Sequence, residues 1–171
     1  MKDKILKEIA DTVNSIEAKN YKLLASNLIK AKRVFIAGAG RSGLAGRFFA
    51  IRLRHLGIES YVAGDNPCPP IKKGDLLIAV SYTGNKKTVI HIAEKGREAG
   101  AKVLTITSDK DTPLTKLSNH TIQIPIKHSL QFSGSLFEQS ALIFLDIFAE
   151  DFRRQQGISR SAMIKQHANL E

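Results

Sequence analysis

The chain has 171 residues, 43% of them hydrophobic, which is enough apolar content for one compact domain with a real core. Its formal net charge of +10 at pH 7 directs attention to anionic partners, whether nucleic acid, an anionic membrane or a phosphorylated metabolite. The single Cys68 excludes an intrachain disulfide framework, the charged N-terminus lacks a signal-peptide core and no apolar run is long enough to span a bilayer, so a cytoplasmic location is expected.

Ile5, Leu6, Ile9, Val13 and Ile16 recur at helical spacing, and Asn20 reads as the N-cap of a second helix carrying Leu23, Leu24, Leu28 and Ile29. These N-terminal helices, residues 1–30, hold more apolar residues than one sheet face needs, which predicts subunit contact and a homo-oligomer. Residues 34–37 form a strand that runs into Gly38-Ala39-Gly40-Arg41-Ser42-Gly43, after which Leu44, Phe48, Phe49, Leu53 and Leu56 mark a helix closed by Gly57. Residues 60–63 are a short second strand, and 64–70 a loop rich in Gly, Asp, Asn and Pro. Residues 76–80 are a continuous apolar strand ending in Ser81-Tyr82-Thr83-Gly84-Asn85, followed by a helix from about 87 to 99. A fourth strand spans 103–107, a short helix 113–117 and a fifth strand 121–124, which Pro125 stops. A long helix over 135–152 completes a core of residues 31–155, and a basic helix after Gly157 belongs to a C-terminal tail, 156–171.

Strands alternating with helices imply right-handed crossovers and a parallel sheet covered on both faces, with the functional loops at the carboxyl ends of the strands. Both Gly/Ser turns then lie on one edge. In the first, glycines permit close backbone approach, and the helix start behind them offers unpaired N–H groups to an anion. Its letters also match the dinucleotide-binding pattern, which requires an acid at the carboxyl end of the second strand. Glu59 stands at the wrong end of that strand and Asp65 too far along, while Arg41 and Ser42 bring a cation and a hydroxyl suited to phosphate, so no nicotinamide or flavin cofactor is expected. In the second turn Ser81, Thr83 and Thr88 supply hydroxyls and Gly84 exposes backbone N–H groups, a set fit for a phosphate monoester. Ser81 and Thr83 could instead cap the following helix, and Lys86 and Lys87 are either charge at the mouth or a solvated pair.

The two turns together resemble the sugar isomerase (SIS) domain. Arg52-Leu53-Arg54-His55-Leu56-Gly57, Gly74-Asp75-Leu76-Leu77-Ile78, Gly134-Ser135-Leu136-Phe137-Glu138-Gln139 and the terminal His167-Ala168-Asn169-Leu170-Glu171 extend the likeness, within that family, to the 6-phospho-3-hexuloisomerases. The resemblance implies a flavodoxin-like three-layer α/β/α sandwich with a five-stranded parallel sheet, a homotetramer, and conversion of 3-hexulose 6-phosphate to fructose 6-phosphate. It places Gly40, Arg41, Ser42, Ser81, Tyr82, Thr83, Gly84, Lys86 and Thr88 about the phosphorylated substrate. Two positions depart from the family's Ser-x-Ser-Gly-x-Thr turn: Thr83 replaces the second Ser, and Lys86 stands where Thr is expected, so one hydroxyl ligand is exchanged for a point charge.

Moving a carbonyl between adjacent carbons through an enediol requires a base and an acid. Glu138, in the first turns of an apolar helix, is the base expected here, against the alternative of a carboxylate that only complements the helix dipole. His55, at a helix end, and His167, in the tail, are both candidates for the acid, and the family likeness favours both near the site, supplied across a subunit boundary. Arg52 either binds substrate hydroxyls or pairs with a neighbouring acid. The other histidines lack ligand-like spacing, so no metal is expected. A sensor that binds phosphosugar without turnover needs no positioned base, which separates it from the isomerase. Dispersed basic residues, 6% aromatics and no recognition-helix motif argue against nucleic acid.

Overall fold

The computed structural model describes residues 1–169; Leu170 and Glu171 of the terminal motif lie outside the described residues. Five parallel strands, β1 (Val34–Gly38), β2 (Ser60–Val62), β3 (Leu76–Val80), β4 (Lys102–Thr107) and β5 (His120–Gln123), form one sheet in the order β2-β1-β3-β4-β5. Seven helices accompany them: α1 (Lys2–Asn14), α2 (Ala18–Lys30), α3 (Gly40–His55), α4 (Lys87–Glu98), α5 (Pro113–Lys116), α6 (Ser135–Gln155) and α7 (Arg160–Lys165). The result is the expected flavodoxin-like three-layer α/β/α sandwich.

Alternation along the strands decides which side chain meets which layer. Val34 and Ile36 of β1, with Leu76, Ile78 and Val80 of β3, point into the larger core with Leu24 and Leu28 of α2, Phe49 and Leu53 of α3 and Phe144 and Phe148 of α6. Phe35, Ala37, Leu77 and Ala79 point the other way, to Val89 and Ala93 of α4 and Leu114 of α5. Both faces are thus covered, and β3, at the centre, is buried along its whole length.

The register of β1 against β3 sets the position of both turns. Gly38 lies opposite Val80, so the chain leaves the two strands side by side. At the opposite edge, Arg33 donates from Nε and Nη2 to the two oxygens of the buried Asp75, at 3.2 and 2.6 Å. Burial pushes the Asp75 carboxyl up, but hydrogen bonds from Arg33 and the Lys72 N–H, together with the Arg33 charge, outweigh it and hold the group below the usual carboxylate value. The pair therefore supports the fold at neutral pH, and its contribution is lost as pH falls through that lowered value.

Two expectations need correction. Asn20 is not a cap: α2 begins two residues earlier, with Glu17 at its N-cap, and Asn20 is buried inside the helix. Neither is the main apolar surplus on the N-terminal helices. Val13, Ile16, Leu24 and Leu28 are buried there, leaving Leu6 and Ile29 exposed. The larger exposed set is Leu44, Phe48 and Ile51 on α3, with Ile143 and Ile147 on α6. No described helix is long and apolar enough to cross a membrane.

Candidate functional site

The first turn is built by backbone contact. A Cβ on Gly38 would stand 2.7 Å from the Gly43 Cα, and one on Gly43 would stand 2.7 Å from the Gly38 carbonyl oxygen, so neither position tolerates a side chain. This approach seats α3 directly over the end of β1. Gly40, Arg41 and Ser42 then form the first turn of α3, where no side chain caps the helix and the leading N–H groups stay available. Ser42 is buried and Arg41 exposed.

The second turn is held from behind. The Tyr82 carbonyl accepts hydrogen bonds from the Thr107 hydroxyl at 3.0 Å, the Ser108 hydroxyl at 2.9 Å and the Ser108 N–H at 3.1 Å. Because the peptide is trans and planar, fixing that carbonyl toward β4 aims the Thr83 N–H the opposite way. Gly84, at φ 64°, packs on Thr112, whose hydroxyl would lie 2.3 Å from any Cβ added there. Thr112 is itself fixed by a reciprocal capping box with Thr115 at the start of α5. The N–H groups of Thr83, Gly84 and Lys86 donate to no protein acceptor among the described residues.

The alternative that Ser81 and Thr83 cap α4 does not hold. The N-cap is Lys86, without a side-chain cap bond, and Thr83 Oγ1 instead accepts from the Asn85 N–H at 3.3 Å. Ser81 is 2% exposed, and its hydroxyl has no hydrogen-bond partner among the described residues. A buried hydroxyl left unpaired beside a row of free N–H groups is what a polar ligand would satisfy. Thr88 is exposed in the first turn of α4.

Glu138 reaches these turns from the first turn of α6. Gly134, its N-cap, is the spacer: a Cβ there would meet the Tyr82 ring at 3.0 Å and Glu138 Oε1 at 3.4 Å. Tyr82 also packs on Phe137, with ring centroids 5.5 Å apart. The Glu138 side chain is 14% exposed and accepts a hydrogen bond from Arg41 Nε. Arg41, Leu44, Phe48, Glu138 and Gln139 are among the residues lining an open cleft of about 180 Å³. The roles of Gly134 as spacer and Thr112 as buttress carry no signature in the sequence, since each is defined by a contact distant along the chain.

Three candidates lie elsewhere. Arg52 pairs with Asp146 of α6 at 3.0 Å, and His55 stacks on His167 with ring centroids 4.9 Å apart and ring planes 16° from parallel. With Arg160, Met163 and Ile164 they line a second cleft of about 310 Å³ at the far end of α3. At 1.5 Å per residue, the fourteen positions from Arg41 to His55 correspond to about 21 Å along the helix. One chain therefore does not bring the imidazoles to Glu138. Asp65 is engaged by Arg47, at 2.6 Å from Nη2, and Glu59 by the Tyr61 hydroxyl, so neither acid is free for a ribose. Among the described residues no group of three or more His, Cys, Asp or Glu could hold a metal ion.

The geometry is matched by kinship. The family model described as the SIS domain matches residues 27–142. A Mycobacterium gastri protein named 3-hexulose-6-phosphate isomerase is 36% identical over 172 residues, spanning 96% of this chain and 86% of that one. Its namesake in Methanocaldococcus jannaschii is 37% identical over 148 residues, 86% of this chain and 82% of that protein. A crystal structure from Methanococcus jannaschii, said to infer a molecular function of 3-hexulose-6-phosphate isomerase, is similar with a TM-score of 0.90 and 34% identity over 99% of this chain and 98% of that one. This chain belongs to the SIS domain family.

Proposed function

We propose that the protein is a phosphosugar isomerase that interconverts 3-hexulose 6-phosphate and fructose 6-phosphate, needing no cofactor or metal. The observation that carries this reading is a sheltered carboxylate, Glu138, held beside two adjacent turns in which the N–H groups of Thr83, Gly84 and Lys86 and the Ser81 hydroxyl have no protein partner among the described residues. A sensor needs the turns but not the carboxylate. The relatives' shared name, 3-hexulose-6-phosphate isomerase, supports the first of these sugars.

In this reading the phosphate rests on the N–H groups of Thr83 and Gly84, the hydroxyls of Ser42, Ser81, Thr83 and Thr88, and the charge of Lys86, with Gly40 keeping the first turn open. Tyr82 walls the sugar. Glu138 takes the proton from C2 of the 3-ketose; the C–H electrons form the C2=C3 bond and an acid protonates O3. The enediol then takes the proton from Glu138 at C3 and gives its O2 proton back, leaving the carbonyl at C2.

The acid comes from a second copy. Arg41, Phe48 and His55 are spaced by seven residues each, so with Leu44 and Ile51 they share one face of α3, apolar in the middle and polar at its ends. An antiparallel pair of α3 helices about a two-fold axis at Phe48 buries that apolar centre and lays the partner copy's histidine pair beside Arg41 and Glu138. Two such pairs would make the homotetramer. Arg52, held by Asp146 next to His55, would meet the sugar hydroxyls from the same side.

The test is conversion of 3-hexulose 6-phosphate to fructose 6-phosphate by purified protein in the presence of EDTA; no turnover would reject the reading. Ser81→Ala or Thr83→Ala is expected to weaken fructose 6-phosphate binding in calorimetry by about 1–3 kcal/mol per lost charge-assisted hydrogen bond. Unchanged affinity in both would remove the hydroxyls from the cradle.

A further inference from the structure

Arg41 belongs to the first Gly/Ser turn and its side chain reaches the carboxylate proposed as the base. Its Nε donates to Glu138 Oε2, and among the described residues its terminal nitrogens have no other hydrogen-bond partner. The side chain is 65% exposed on the wall of the cleft, whereas the carboxylate it holds is mostly sheltered. Arg41 is also the second residue of α3, so it stands on the helix start that closes the first turn. A guanidinium presents five N–H donors in a rigid planar fork and can serve two acceptors along different edges; an ammonium is a compact point donor.

We propose that Arg41 is a positioning residue that couples the substrate's phosphate to the base. One edge of its guanidinium holds the Glu138 carboxylate and the other receives a phosphate oxygen, so that arrival of the anion fixes the carboxylate over the carbon that loses its proton. This rests on the phosphosugar isomerase reading and goes beyond it. The phosphate then contributes to turnover as well as to affinity, because binding energy from a non-reacting group is used to orient the reacting one.

The experiment measures kcat, and the calorimetric Kd for fructose 6-phosphate, for Arg41→Met and Arg41→Lys, each in the wild-type and the Glu138→Gln background. Arg41→Met is expected to lower kcat by ~10²-fold and weaken Kd by ~10-fold. Arg41→Lys keeps the charge and the helix start, and should return Kd to within about threefold of wild type while kcat stays at least ~10-fold down. In the Glu138→Gln background, Arg41→Met should weaken Kd as before yet change the residual rate by less than about twofold, the signature of two residues acting through one function. Full kcat in Arg41→Lys, or an equal loss of rate in both backgrounds, overturns the coupling alone. Absence of turnover in the wild type overturns the coupling and the isomerase reading together.

Discussion

Glu138→Gln is expected to lower turnover by at least ~10²-fold while fructose 6-phosphate still binds. The amide matches the carboxylate in size and can still accept from Arg41 Nε, so the first turn of α6 and its packing on Tyr82 persist. What is lost is the basic oxygen that, in the proposed mechanism, carries a proton from C2 to C3. A Glu138 that served only the helix start would give another pattern, because a carboxylate near a helix N-terminus contributes roughly 0.3–1 kcal/mol and nothing to chemistry. Thermal unfolding and the rate per folded molecule, measured on one preparation, separate the two. Solvent deuterium appearing in recovered substrate would support a shuttling carboxylate, since the proton held during the enediol's lifetime can exchange. Near-wild-type turnover in the Gln variant would remove Glu138 as the base.

The fold was legible because its signals are local. Val34 to Ala37 and Leu76 to Val80 are apolar runs that end in glycine turns, and each turn opens a helix, which is sufficient for a parallel sheet with both turns on one edge. The two turns were legible for the same reason. Helix faces were less so: Leu44 and Phe48 fit the apolar period of α3 as well as Phe49 and Leu53 do, yet only the latter pair face the sheet. A period shows that residues recur, not which stripe meets the core, and the exposed stripe on α3 emerges only once the sheet is in place. Asn20 failed as a cap because capping preference is a one-residue signal that two turns of helix packing easily override.

The proposed catalytic residues were half legible. Residue types named Glu138, His55 and His167, but the sequence carries no distance, and the distance changes the chemistry. Likewise the Glu138 partner of Arg41 carries no signal in the sequence, and Arg52 has the acid partner that was one of its two readings, Asp146. Those pairings join residues 97 and 94 positions apart, a separation across which no spacing rule operates.

Mixing two inactive variants is therefore expected to restore activity. One carries Glu138→Gln; the other carries His55→Gln and His167→Gln together, so that it does not matter which imidazole is the acid. In the proposed two-fold pair each site takes its base from one copy and its acid from the other. A mixed pair then holds one site with both lesions and one with neither. Random assembly from equal amounts makes half of the pairs mixed, each with one intact site of two, which corresponds to about a quarter of wild-type activity. The ~21 Å between Arg41 and His55 along a continuous helix is a span that no side-chain motion closes, so no single copy brings the two groups together. Co-expression, or joint unfolding and refolding, followed by an assay against each variant alone provides the measurement. Phe48→Glu, which places a charge at the centre of the exposed α3 face, should prevent the rescue and reduce the mass seen by light scattering, because an unpaired charge at a desolvated contact opposes association. A mixture no more active than its components, from subunits shown to exchange, would leave Glu138 and the histidine pair in separate sites and take the acid away from His55 and His167.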